Sequence, residues 1–271
     1  MASPRRSTRR EVPWWLLAIA LLGLLTLWAI VSNEGYADIF RALAGGIATT
    51  LWVTLVAFAC ALAVGFLVAM ARTSPLRVLR ELATFYIEIV RGIPMLVALF
   101  YVAFVGAPWL VAAVNWVGQP LIDLGWMPPL SIRTLDFTWR AILALTVCYS
   151  AFIAEILRGG IEGVDIGQVE AAKALGLKRW PIFRRVVGPQ ALRIVLPPLG
   201  NDFVSMIKDS ALVSALGVQD ITQLGKVYSS GTFKFFETYN VVAFLYLVMT
   251  IGLSLLVKLL ESRLRQGRER R

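Results

Sequence analysis

Charged side chains inside apolar runs are where this sequence can do chemistry. Glu88 and Arg91 stand three apart in the run 84–105, and Lys208 and Asp209 stand side by side in the run 194–218. A charge at mid-bilayer costs at least about 2.5–3.5 kcal/mol, so its presence argues for a task. Residues three apart share a helix face, so Glu88 and Arg91 can pair. Adjacent residues such as Lys208 and Asp209 point in different directions. Two readings follow: ion pairs that pin helices together, or a polar route for a zwitterionic solute. At 1.5 Å per residue, Lys208 lies ~21 Å in if its helix starts at Ile194, and ~15 Å in if it restarts after Pro198. Pro197 and Pro198 read as a break whose freed carbonyls need protein or a water-filled cavity around them. Asn201 and Asp202 read as the cytoplasmic mouth.

Other chemistries lack their residues. The chain has no histidine, which removes Ser/His/Asp and Cys/His triads and histidine metal sites. Cys60 and Cys148 both lie in apolar runs and read as small core residues. The Gly225–Lys226 pair lacks the phosphate-cradling pattern, since position 220 is Asp and position 227 is Val. No acid/base or metal cluster appears, so a membrane enzyme is disfavoured, and the chain is expected to carry no cofactor.

The elements that must position these residues are membrane spans. Of 271 residues, 58% are apolar and 16% charged, with a mean hydropathy of +0.71. Soluble domains hold about a quarter charged residues. Six runs approach the roughly 20 residues that a span needs: 14–31, 46–71, 84–105, 139–157, 194–218 and 241–260. The weaker patch 108–117 reads as part of an outer loop near the interface, anchored by Trp109, Trp116 and Trp126. The expected fold is an all-α polytopic membrane protein of about six transmembrane helices. With connections assigned to alternate sides, 20 of the 27 lysines and arginines fall on one side and four on the other. The richer side is cytoplasmic, with both termini there. The net charge of +10 is thus a topology signal, and nucleic acid is not an expected partner. The first run is too long for a signal-peptide core and reads as an uncleaved anchor.

One long cytoplasmic connection, about 159–190, stays polar. Asp165 can cap a helix, with Gln168 reaching back in a capping box. "VEAAKAL" consists of strong helix formers, Gly176 suits a left-handed helix end, and Pro181 suits the start of a second short helix, closed by Gly188–Pro189. Ala171, Ala174 and Leu175 share a face on which another backbone can settle. From the residues alone, docking on a partner and resting on the bilayer are equally good readings.

The same stretch, "VEAAKALG" (169–176), resembles the EAA loop of permease subunits of binding-protein-dependent ABC importers. "VRGIP" (90–94), "AEILRGGIEGV" (154–164), "PQALRIVLPPLGNDF" (189–203) and "IKDSALVSALGV" (207–218) resemble that family's polar amino acid branch, in order and at matching spacing. The resemblance implies a type I importer fold over residues 46–262. Residues 1–45 would add a basic tail, an anchoring helix and an outer loop, and residues 263–271 a basic tail. It implies a coupling helix with Glu170, Ala171, Ala172, Ala174 and Gly176 at the ATPase contact. The translocation path would be lined by Arg91, Pro94, Asn201, Lys208, Asp209 and Ser210. The implied partners are ABC ATPase subunits that bind ATP and Mg, a second permease subunit (a copy or a paralogue), an extracytoplasmic solute-binding protein, an amino acid substrate and membrane lipid. Two departures stand out. A serine usual near Lys178 is missing, and a Thr-Ser pair is replaced by Ser210–Ala211. The rival reading is a stand-alone ion-coupled secondary transporter, which predicts inverted repeats that the sequence lacks.

Overall fold

In hydrocarbon no water satisfies backbone N–H and C=O groups, so an apolar run must close its own hydrogen bonds, as a helix does. The computed structural model describes residues 14–269, and among them there is helix and turn but no strand. Helix α1 (Trp14–Ser32) is apolar on every side. Asn33 then caps α2 (Glu34–Arg72), its side chain accepting from the Gly35 amide at 2.8 Å. Helix α2 has 39 residues, about 58 Å at 1.5 Å per residue. After a turn comes α3 (Arg77–Gly92). Then α4 (Met95–Tyr101), a π-helical turn (Val102–Gly106) and α5 (Ala107–Asp123) run together as one 29-residue helix. Helix α6 (Phe137–Glu162) follows, then the short α7 (Ile166–Ala174) and α8 (Arg179–Ile182). A second π turn (Phe183–Val187) leads into α9 (Gly188–Asp209). A 3-10 segment (Ser210–Leu216), α10 (Ile221–Thr232) and α11 (Phe235–Glu269) complete the described chain.

Helix α6 is the axis of the molecule. It runs beside α2 in the same direction, from an edge-on Trp52–Trp139 contact at 5.5 Å to an Arg72–Glu155 ion pair at the other end. Small residues bring the two backbones close. A Cβ on Gly65 would sit 2.8 Å from the Ile153 side chain and 2.9 Å from the Ser150 carbonyl oxygen. Ala57, Ala61 and Ala69 continue that seam, fully buried. Lipid tails are as apolar as the helices themselves, so close packing of this kind is what holds spans together. Leu99 and Ala103 from α4 and its π turn, Met206 from α9, and Val213 and Leu216 from the 3-10 segment complete the central cluster. A second cluster joins α1, α2, α10 and α11 through Ile30, Leu43, Ile221 and Val241.

Among the described residues, four helices are long and apolar enough to cross a membrane: Glu34–Arg72, Met95–Asp123, Phe137–Glu162 and Phe235–Leu260. Leu17–Ser32 is a shorter apolar helix. The run expected at 84–105 is not one span. Helix α3 ends at Gly92, and Ile93 is extended (φ −97°, ψ 136°) because Pro94 bars it from the helical region. The true span starts at Met95 and continues through residues 108–117, which are helix and not outer loop. Pro108 interrupts nothing there, since it sits in the first turn of α5 directly after the π turn, where the wider coil absorbs its missing N–H. The outer connection therefore shrinks to residues 124–136. Trp109, Trp116 and Trp126 are all exposed, but Trp109, expected as an interface anchor, falls near the middle of the helix Met95–Asp123.

Pro197 and Pro198 do not break α9 either. They deprive the carbonyls of Arg193 and Ile194 of partners, but both residues lie exposed near the start of the helix. The break falls later, in the 3-10 segment and at Gly217, whose φ of +81° only glycine adopts without strain. Residues 1–13, with Arg5, Arg6, Arg9 and Arg10, lie outside the described residues, as do Arg270 and Arg271. The stretch expected as a basic tail from residue 263 is helical to Glu269.

Candidate functional site

One turn of α6 and the ends of α3 and α9 build a polar row. Tyr149 and Phe152 lie three apart on α6, with ring centroids 6.1 Å apart. The Tyr149 hydroxyl donates to Asp209 Oδ2 at 2.7 Å. At the other end, the Arg91 guanidinium carbon lies 5.6 Å from the Phe152 ring centre. A cation and an anion are thus held at the two ends of an aromatic floor. The expected Glu88–Arg91 ion pair is not formed among the described residues. Both side chains are exposed, where a pair three apart gains only a few tenths of a kcal/mol, about 0.2–0.5. Arginine over a ring gains about 0.5–1 kcal/mol at such sites. A cavity of about 50 Å³, lined by Val90, Ile93, Met95, Cys148 and Phe152, lies where the α3–α4 break faces α6.

The other expected path residues are placed differently. Asn201 and Lys208 are exposed, and with Ser205 they follow i, i+4, i+7 spacing along one side of α9. Lys208 forms no ion pair with Asp209. Asp202 shares the side of Asp209, seven residues on, and its Oδ2 is buried without a hydrogen-bond partner. Ser210 is fully buried and its hydroxyl donates back to the Ile207 carbonyl at 2.7 Å, so it offers nothing to a solute in this state. Pro94 is exposed at the point where α4 begins.

On the cytoplasmic connection, Asp165 caps α7 by accepting from the Gly167 amide at 2.8 Å. The reciprocal half of the capping box is absent. Gln168 Oε1 accepts instead from Gln190 Nε2 at 2.7 Å, tying α7 to the start of α9. Gly176 closes the helix with φ +76°. Its amide donates to the Lys173 carbonyl at 2.9 Å and the Leu177 amide to the Ala172 carbonyl at 3.2 Å, the paired bonds of a Schellman end. The second helix begins at Arg179, with no side-chain cap from Lys178 and with Pro181 in its first turn. Gly188–Pro189 does not close it. The π turn before Pro189 again absorbs the missing donor, and the coil continues into α9. Ala172 is the buried residue of α7, while Glu170, Ala171 and Ala174 are exposed. Around them Ile166, Leu175 and Trp180 are 72%, 81% and 68% exposed, an apolar face turned away from the chain.

Between these two regions lies a charge cluster that sequence reading passed over. Glu155 accepts from Arg72 across the α2–α6 seam and from Arg158 Nη2 at 2.9 Å, and Arg158 also reaches Glu162. The i, i+3 and i, i+4 spacing of Glu155, Arg158 and Glu162 was visible in the sequence; Arg72, 83 positions away, was not. Tyr149 and Phe152 gave no signal beyond being aromatic in an apolar run.

Residues 61–266 match the family described as "Binding-protein-dependent transport system inner membrane component". The chain belongs to this family. Among curated relatives, this permease is 34% identical over 222 residues to the probable amino-acid permease protein YxeN of Bacillus subtilis, spanning 82% of this chain and 91% of the relative. It is 34% identical to the glutamine transport system permease protein GlnP of Escherichia coli K12 (81% and 91%). It is 35% identical to the nopaline transport system permease protein NocM of Agrobacterium fabrum (82% and 87%). Among solved structures, a chain of an amino acid ABC transporter crystallised with histidines aligns with TM-score 0.71 and 33% identity, covering 85% of the permease and 97% of that chain. The methionine transporter MetNI, at 20% identity and TM-score 0.65, shares the fold. The permease is a multi-pass inner-membrane protein of the type I fold and the transmembrane subunit of an ABC transporter.

Proposed function

We propose that this permease imports a polar amino acid, with the row Arg91–Phe152–Tyr149–Asp209 as part of its path. The observation that carries this reading is the separation of one cation and one carboxylate along an aromatic floor, which suits the carboxylate and ammonium of a zwitterion. Asn201 and Lys208 would extend the polar lining along α9, with Pro94 beside Arg91. The names of the relatives, which mention glutamine, nopaline and amino acids, support the substrate class. An ion-coupled stand-alone transporter is not favoured.

In this reading the exposed face of α7, with Glu170, Ala171, Ala174 and the turn at Gly176, docks on a separate ATPase subunit that binds ATP and Mg, and Ala172 seats α7 on its own chain. A second permease subunit and an extracytoplasmic binding protein complete the assembly, with both termini of this chain cytoplasmic. ATP binding and hydrolysis bias the inward- against the outward-facing state through α7. The test is purification from native membranes with mass identification of every co-purifying subunit, followed by uptake assays in vesicles. ATP-dependent uptake of an amino acid by the assembly, and none by the permease alone, is the expected result. Ion-driven uptake by the permease alone would overturn the reading.

A further inference from the structure

Helix α6 joins the polar row to the cytoplasmic connection without a loose joint. Asp209 is bonded at Tyr149, six residues before Glu155. Helix α6 ends at Glu162, and Gly163 and Val164 lead straight to Asp165, the cap of α7. Val164 is buried, so the link is packed and not a swinging tether. Helix α6 meets α2 along a seam of small residues, which fixes how closely the two approach but carries few directional bonds. Directional bonding is concentrated at the cytoplasmic end of that seam. There Glu155, only 19% exposed, takes Arg72 with one oxygen and Arg158 with the other, and Arg158 holds Glu162 one turn nearer to α7. Two carboxylates and two guanidinium groups leave the cluster neutral. Removing the Glu155 charge would strand Arg72 and Arg158 side by side.

We propose that Glu155 is a positioning residue of the transport cycle. By gripping Arg72 and Arg158 together it fixes the cytoplasmic half of α6 against α2, so that a displacement of α7 reaches Tyr149 and Asp209 instead of dissipating at the seam. This role rests on α7 being the ATPase-docking helix, as proposed above. Its substitution changes the efficiency with which hydrolysis drives transport, not the hydrolysis itself.

The test uses vesicles holding the complete assembly. In Glu155→Gln the amino acid moved per ATP falls about tenfold, while basal hydrolysis stays within about twofold and the subunits remain associated. Arg72→Gln lowers the ratio in the same direction, and the double variant falls no further than Glu155→Gln alone, because both substitutions break the Arg72–Glu155 pair. Glu155→Asp recovers part of the ratio. A residue with a merely structural part would lower assembly, hydrolysis and uptake together and leave the ratio unchanged, and that result overturns the proposal. A second arm needs no ATPase: in the isolated chain in lipid nanodiscs, amide exchange over residues 159–166 rises about tenfold in Glu155→Gln. If the wild-type assembly imports no amino acid, the proposed function fails on its own account. The exchange arm still decides whether Glu155 holds α6, and unchanged exchange there overturns the inference.

Discussion

Tyr149 and Asp209, sixty positions apart, share a hydrogen bond of 2.7 Å that joins the middle of α6 to the last residue of α9. The bond sits where α9 gives way to the 3-10 segment, so the phenol holds the carboxylate at the point at which the span changes course.

Tyr149→Phe keeps the ring against Phe152 but leaves Asp209 without its donor. A partly buried acceptor that loses its partner costs about 1–3 kcal/mol, so uptake should fall about tenfold or more. Subunit association should be unchanged. Uptake in vesicles together with co-purification of the subunits measures both, and undiminished uptake would remove Tyr149 from the path.

Gly176→Val forces a β-branched residue to φ +76°, at about 1–2 kcal/mol. A Cβ there meets nothing within 4 Å, so the whole effect is conformational. Gly176→Asn should be milder, because asparagine tolerates the left-handed region. The chain should still reach the membrane, while ATPase association weakens in the order Gly, Asn, Val. Equal association for all three would show that the turn does not orient α7.

Gly65→Ala places a methyl 2.8 Å from Ile153 and 2.9 Å from a backbone carbonyl. Prying α2 from α6 should cost about 1–3 kcal/mol, the range for overpacking a core. Gly23→Ala on α1, where a Cβ meets nothing, serves as the control. Thermal unfolding in detergent should separate the two variants clearly.

Asn115 holds the outer connection by two bonds, accepting from the Leu130 amide and donating to its carbonyl, each at 2.8 Å. Asn115→Ala should speed amide exchange over residues 124–136 and leave that of α6 unchanged. Equal protection in both chains would mean that Arg140, bonded to the Leu135 and Ile132 carbonyls, holds the segment alone.

The sequence by itself determined what depends on neighbours along the chain. Most apolar runs of span length became helices because a helix closes its own backbone hydrogen bonds in hydrocarbon, though the run 84–105 is split at Ile93. Asp165 capped its helix and Gly176 took its left-handed turn because both requirements are local. Cys148 was legible as a core residue from the run around it, but Cys60, read the same way, is exposed, because an apolar run does not say which side of its helix meets the other helices. Prolines misled where only their own position was weighed. Pro189 follows a π turn that absorbs the missing donor, and Pro197–Pro198 sit where unpaired carbonyls can reach solvent, so none of them ended a helix. Only Pro94 did, through the extended residue before it. What the tertiary structure decided is every partnership across helices. Arg91 left Glu88 for the face of Phe152, Gln168 left its own helix end for Gln190, and Glu155 found Arg72. Each of these choices turns on distances between helices, and those distances are set by how closely small residues such as Gly65 let two backbones approach, which no local pattern states.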